Sequence, residues 1–240
     1  MNKERIDDLN LNGKKIIQNT DYFCFGIDSV LLGNFVYSNS SKNIVVDLCS
    51  GTGVISVILS QKKKLQKIYA VELQDEMYSL LKRNIELNNL EECIIPFKAN
   101  IKDYCVDKKV DIVVCNPPYK EIGTGVQNEN NVKYIARHEK ECTLEDVFKC
   151  SSRLLKQKGR LYIVHKPQRL TDLISIARKY KLEPKNVRFV HPKVEASASI
   201  VLIEYVYCGG NEINVLPPLI EYDDFGNYTR EILEIYGSEK

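Results

Sequence analysis

From residue 44 onward, short runs that are apolar at nearly every position alternate with segments whose apolar residues recur every three or four positions. The runs are 44–49 (IVVDLC), 67–72 (KIYAVE), 93–98 (CIIPFK), 110–115 (VDIVVC) and 159–165 (GRLYIVH). Strands of this kind are covered on both faces, because a strand with one wet face alternates polar and apolar residues. Helical spacing occupies 53–62, 75–88 and 143–157; in the second, Met77, Leu80, Leu81, Ile85 and Leu87 share one side. Strand and helix in alternation predict an α/β fold, a doubly wound and mostly parallel sheet. After a helix at about 168–180, the runs 186–191 and 198–207 follow each other without a helix. The sheet is therefore expected to end in an antiparallel pair.

A chain of 240 residues suffices for one such domain with a full core. The expected division is an N-terminal cap segment over 1–43, the α/β domain over 44–207 and an acidic C-terminal extension over 208–240. The cap segment contains an amphipathic stretch from Ile27 to Tyr37, introduced by Tyr22, Phe23 and Phe25, placed to cover the sheet or its ligand. The rhythm breaks at 120–142, a polar stretch without periodicity, as expected of a functional loop. No apolar run reaches 18 residues and no signal-peptide pattern opens the chain, so a cytoplasmic location without a membrane partner is expected. Eight cysteines, at 24, 49, 93, 105, 115, 142, 150 and 208, include no C-x-x-C pair and read as reduced, mostly buried thiols.

Residues 45–53 read V-V-D-L-C-S-G-T-G, an acidic strand end followed by a glycine-rich turn into a helix. Such a turn brings backbone N–H groups up to a ligand. Glu72 ends the next strand nineteen residues after Gly53, where a carboxylate can accept from the ribose hydroxyls of an adenosine cofactor or cap the helix that follows. Nicotinamide dinucleotides and S-adenosylmethionine both use this geometry. A dinucleotide calls for G-x-G-x-x-G around a pyrophosphate, which Asp47 would repel. Asp47 suits instead the cationic amino end of S-adenosylmethionine.

The run 110–115 ends in Asn116-Pro117-Pro118-Tyr119. The Asn116 side chain and the Pro117 carbonyl supply two acceptors for one planar amino group, and the prolines remove two competing N–H donors. Tyr119 adds an aromatic face for a flat ring. The set suits adenine N6 or a glutamine amide presented to an electrophile.

With these features in order, the chain resembles the class I S-adenosylmethionine-dependent methyltransferases over roughly 25–205. Within them it is similar to the bacterial tRNA1(Val) (adenine-37-N6)-methyltransferase family. That family pairs a short N-terminal segment, here FGIDSVLLGNF (25–35), with NPPY and a downstream ARHE, here Ala136–Glu139. Cys49 departs from the glycine commoner at its place. The resemblance implies a Rossmann-like, seven-stranded sheet with one antiparallel strand, and places Asn100 and Ile101 beside the adenine of the cofactor. Expected catalytic residues are Asn116, Pro117, Pro118 and Tyr119. Expected cofactor residues are Asp47, Ser50, Gly51, Gly53, Glu72, Leu73, Asn100, Ile101 and Asn116.

Charge bears on the substrate. Residues 151–200 hold twelve Lys/Arg against three Asp/Glu, and 211–240 hold two against seven. The first segment favours an anionic partner, with nucleic acid the obvious one; tRNA is the expected substrate. Lys166, Arg169, Arg188 and Lys193, with Arg137 and His138 on the long loop, are candidate contacts or plain surface residues. The acidic tail is either a packed C-terminal helix or a repulsive element. Three scattered histidines without ligand spacing argue against a metal site. Two other functions compete. NPPY also serves enzymes that methylate a glutamine amide in release factors, which resemble this core preceded by a sizeable helical domain, whereas about forty residues precede the first strand here. A non-catalytic nucleic-acid-binding module with a cofactor fold would bind RNA and yield no methylated product. DNA adenine also remains open as a target.

Overall fold

The alternation in the sequence becomes a single twisted sheet wrapped by helices in the computed structural model, which describes residues 3–22, 24–38, 43–62, 65–118 and 142–237. In chain order the elements are β1 (Glu4–Asp8), β2 (Lys15–Asn19), α1 (Ile27–Phe35), β3 (Asn43–Leu48), α2 (Val54–Ser60), β4 (Leu65–Glu72) and α3 (Asp75–Leu87). There follow β5 (Ile94–Lys98), β6 (Val110–Cys115), α4 (Leu144–Leu154), β7 (Leu155–His165), a 3-10 turn (Pro167–Arg169) and α5 (Leu170–Lys179). The chain closes with β8 (Leu182–His191), β9 (Ile200–Tyr207), β10 (Asn214–Val215), β11 (Leu219–Ile220) and α6 (Arg230–Ile235).

The long strands lie in the order β8-β9-β7-β6-β3-β4-β5, all parallel except β9, which runs against both of its neighbours. The expected seven-stranded arrangement is present in these seven. Two further strands of two residues each, β10 and β11, pair with the outer edge of β8 and raise the sheet to nine. They come from the acidic segment, which packs rather than standing off. Ile232 of α6 is fully buried, and Arg188 of β8 donates to the Pro217 carbonyl (3.0 Å) and pairs with Glu231 (2.7 Å). Pro96 is tolerated in β5 because that strand is the other edge.

Alternate strand residues serve opposite faces. Val45, Ile68 and Ile112 pack with α1, α2 and α3, while Val46, Val71 and Val113 pack with α4 and α5. Helix α4 begins at a capping box, in which Thr143 Oγ1 accepts from Asp146 N–H and Asp146 Oδ2 accepts from Thr143 N–H. Element boundaries differ most from expectation in two places. The helix placed over 143–157 ends at Leu154, and β7 starts at Leu155, because the polar run Lys156-Gln157-Lys158 continues the strand with an irregular register against β6. Likewise β8 begins at Leu182, four residues before the apolar run, and takes in Pro184.

The β1–β2 hairpin carries little apolar signal beyond Ile16 and Ile17. It is held by two asparagines, one in α3 and one at its C-cap: Asn84 Oδ1 accepts from Ile17 N–H (2.7 Å), and Asn88 Oδ1 accepts from Lys15 N–H (2.9 Å). Among the described residues, no helix is long and apolar enough to cross a membrane.

Candidate active site

Parallel strands bring their carboxyl ends, and the loops that follow, to one rim of the sheet. On that rim β3 delivers the turn 49–53, β4 delivers Glu72, β5 the loop after Lys98, and β6 delivers Asn116. Leu48 of β3 stands opposite Cys115 of β6 and Val71 of β4, so the turn lies between Glu72 and Asn116.

The turn is built on left-handed backbone at Cys49 (φ 57°), Gly51 (φ 56°) and Gly53 (φ 86°). Cys49 tolerates this conformation at a local cost of about 1 kcal/mol, which answers how a side chain fits where glycine is commoner. Its Sγ lies 3.6 Å from Cys142 Sγ. The hydrogen bond shared with Cys115, then burial, hold the Cys49 thiol above its ordinary value, and burial does the same for Cys115. All eight cysteines are free. Gly53 caps α2, and a Cβ there would sit 2.5 Å from Leu81 Cδ1 of α3. Gly53→Ala is expected to cost about 2–3 kcal/mol from the left-handed backbone and the overpacking together. Urea unfolding of the variant checks this; a midpoint equal to wild type would show that α3 yields freely.

A Cβ on Gly51 would meet only Met77 Cε, at 3.6 Å, so its outer side is open. Its N–H donates to Glu72 Oε2 (2.8 Å), while Glu72 Oε1 accepts from Leu73 N–H and Gln74 N–H, both at 2.9 Å. Glu72 does not cap the next helix, whose N-cap Gln74 makes no side-chain cap hydrogen bond; it braces the two residues that lead into α3 and ties the turn to β4. A carboxylate offers about four lone-pair sites; three are taken here, leaving one on Oε2 for an incoming hydroxyl. Burial raises the Glu72 carboxyl, against the lowering effect of these N–H groups. The loop after β5 is anchored beside it by Ala99 N–H to the Glu72 carbonyl (3.0 Å). Within that loop Asn100 Oδ1 accepts from Lys102 N–H (3.0 Å) and Ile101 is buried.

Asp47 lies deeper than its sequence position suggested. It is 0% exposed, and Oδ2 accepts from Ser56 Oγ of α2 (2.7 Å). Among the described residues Oδ1 has no hydrogen-bond partner, and neither has the buried Oγ of Ser50. Burial pushes the Asp47 carboxyl up to about 7. Two orphaned polar atoms under an open glycine turn, with a carboxylate on the next strand, fit a ligand carrying a cation at one end and hydroxyls at the other.

Asn116 follows β6 and is partly buried, with Pro117 buried and Pro118 partly so. Its Nδ2 donates to Ser29 Oγ (3.0 Å) and to Asp28 Oδ2 (3.3 Å), both at the start of α1. The segment 25–35 gives no local sign of a part for these two residues, since nothing in the sequence ties Asp28 to a residue 88 positions away. Tyr119, Arg137 and His138 lie outside the described residues, as does most of the loop expected at 120–142.

Of the other basic candidates, Lys166, Arg169 and Lys193 follow β7 and β8 and so stand on the same rim. Arg169 pairs with Asp172 (2.7 Å), and Lys193 is exposed. Arg188 is committed to Glu231 and Pro217, which removes it from the rim contacts. His165, 3% exposed, accepts from Lys166 N–H through Nδ1, and burial lowers it to about 4. The neutral imidazole is therefore its form near pH 7. Among the described residues, no group of three or more His, Cys, Asp or Glu could hold a metal ion.

The family model of the methyltransferase small domain matches residues 26–175. A tRNA1(Val) (adenine(37)-N6)-methyltransferase of Aliivibrio salmonicida is 27% identical over 185 residues, covering 75% of this chain and 78% of that protein. A predicted O-methyltransferase of Agrobacterium tumefaciens superposes with a TM-score of 0.71 at 17% identity, over 88% of this chain and 96% of its own. TYW2 of M. jannaschii, solved in complex with AdoMet, superposes with a TM-score of 0.55 at 18% identity, over 86% of each chain.

Proposed function

The chain belongs to the methyltransferase small domain family, and from that premise we propose that it transfers a methyl group from S-adenosylmethionine to the N6 amine of an adenine in tRNA. One observation carries this reading: β6 sets Asn116, Pro117 and Pro118 directly beside the turn 49–53 at the carboxyl rim. Acceptors for an amino group and a seat for the methyl donor then adjoin.

The cofactor supplies an electrophilic methyl group on a sulfonium. Asp47 and Ser50 would hold its amino-acid end, the open site on Glu72 its ribose, and Asn100 and Ile101 its adenine, with Gly51, Gly53 and Leu73 shaping the walls. Adenine N6 is a poor nucleophile because its lone pair is delocalised into the ring. Asn116 Oδ1 and the Pro117 carbonyl accept its two N–H bonds, which favours a more tetrahedral nitrogen and stabilises the charge that develops on it. The proton leaves afterwards to water or a carbonyl. Tyr119 would stack on the base, which must be out of any helix to reach the site; an anticodon-loop base is already partly free. The basic rim residues Lys166, Arg169 and Lys193 would meet phosphate. The relative from Aliivibrio salmonicida supports position 37 of tRNA1(Val) as the first substrate to try.

Asp47 gives the cofactor reading a sign that can be measured. Its folded-state value, about 7, lies above the ordinary aspartate range, so the protonated form contributes stability at low pH that is lost as pH rises through about 7. A cation placed beside it favours the carboxylate. At about pH 6.5, calorimetry in buffers of different ionisation heat should therefore show up to about three-quarters of a proton released on cofactor binding. Binding heats independent of buffer at the lower pH would remove Asp47 from the cofactor site. The substrate class is tested by transfer of labelled methyl from the cofactor to unmodified tRNA or to a release factor. Label in the RNA is expected; label in the protein alone would make the acceptor a glutamine amide.

A further inference from the structure

A carboxamide offers two different faces, and its use as an acceptor depends on which one meets the substrate. Turned the wrong way, Asn116 would present an NH2 to the target NH2, donor against donor. The torsion that decides this is broad and two-fold, so β6 alone does not set it. The start of α1 does. Asp28 and Ser29, 6% and 3% exposed, face the Nδ2 of Asn116 with Oδ2 at 3.3 Å and Oγ at 3.0 Å. A carboxylate only accepts, so the group that faces it must be the NH2. The carboxylate is itself held, since its other oxygen, Oδ1, accepts from Ser29 N–H (2.8 Å).

Helix α1 is also fixed to α2, the helix that follows the turn 49–53. Gly33 packs so closely on α2 that a Cβ would lie 2.8 Å from Ile58 Cγ2, and Lys62 after α2 donates to the Asn34 and Val36 carbonyls. Position and flip of Asn116 are thus referred to the element that follows the cofactor turn.

Resting on the methyl-transfer reading above, we propose that Asp28 and Ser29 are positioning residues for the reaction. They lock the Asn116 carboxamide with Oδ1 toward the target amine, and the negative charge of Asp28 draws on its N–H bonds and enriches that oxygen as an acceptor. Hydrogen bonds in a chain polarise one another in this way where water is excluded. Outer partners of metal-bound histidines orient and strengthen their ligands by the same logic.

The test uses Ser29→Ala, which removes one hydroxyl, and Asp28→Asn, which keeps shape and removes charge. Each is expected to lower the single-turnover rate by about 5–20-fold, while KM for tRNA and the cofactor dissociation constant stay within about twofold. The second readout is independent of turnover. In protein labelled with 15N at asparagine, the Asn116 side-chain NH2 signals, identified by their loss in Asn116→Ala, should exchange slowly with solvent in wild type and shift in both variants. Folded variants with wild-type rates, or Asn116 signals unmoved by both changes, would overturn the proposal. So would a rapidly exchanging Asn116 amide in the wild-type protein, a measurement that needs no variant to fold. If wild type transfers no methyl to adenine, the substrate reading fails, and the amide signals still decide whether α1 fixes Asn116.

Discussion

Asn116→Ala should lower the single-turnover rate of methyl transfer by on the order of 10²–10³, the scale of losing one preorganised polar contact made in the transition state. That corresponds to about 3–4 kcal/mol of barrier. The loss should fall on kcat and leave KM for tRNA nearly unchanged, because the acceptor matters most once charge develops on the nitrogen. A second effect must be separated from it. Alanine leaves Asp28 and Ser29 buried without their donor, at a cost to stability of about 1–3 kcal/mol. The rate is therefore read on variant shown by thermal unfolding to be folded at the assay temperature. A folded Asn116→Ala enzyme with the wild-type rate would remove Asn116 from the chemistry.

Glu72→Gln should weaken cofactor binding by about 10–100-fold. The substitution keeps size and keeps one carbonyl oxygen, which can still accept from Leu73 and Gln74 N–H as Oε1 does now. The other terminal group becomes an NH2 facing Gly51 N–H, where Oε2 stands at 2.8 Å. Donor then opposes donor, the turn loses its tie to β4, and the one open lone pair for a ribose hydroxyl disappears. Hydrogen bonds to charged groups contribute about 1.5–3 kcal/mol each, which sets the range. Calorimetric titration of the folded variant with S-adenosylmethionine checks it. Affinity within about twofold of wild type would mean that Glu72 serves only as a brace.

How far the sequence disclosed this structure depended on where the stabilising contacts lie. Strands β3, β4 and β6 were legible because both of their faces are covered, so Val45 and Val46, or Ile112 and Val113, are apolar together. The β1–β2 hairpin was not. Its strands, ERIDD and KIIQN, carry little apolar signal, and Asn84 and Asn88 of a distant helix hold β2 in place. The two-residue strands β10 and β11 are likewise products of the β8 edge rather than of their own composition.

The same division runs through the site. Gly51, Gly53, Glu72 and Asn116 stand at fixed offsets from strand ends, and those offsets are local. What each group does with its hydrogen bonds is tertiary. Asp47 looked like an open group at a strand end; it is 0% exposed, with Oδ2 engaged by Ser56 and Oδ1 without a hydrogen-bond partner among the described residues. Arg188 looked like a phosphate contact and instead anchors the C-terminal segment. Asp28 and Ser29 lie within the segment 25–35 that carries the family likeness, and only the fold brings them to Asn116.

The central claim is that an adenine amine in tRNA receives the methyl group. Nucleoside mass spectrometry of tRNA from cells with and without this gene tests it most directly. N6-methyladenosine should be present in the first and lost from the second, returning with the wild-type gene and not with Asn116→Ala. An unchanged N6-methyladenosine level in the deleted strain would contradict it.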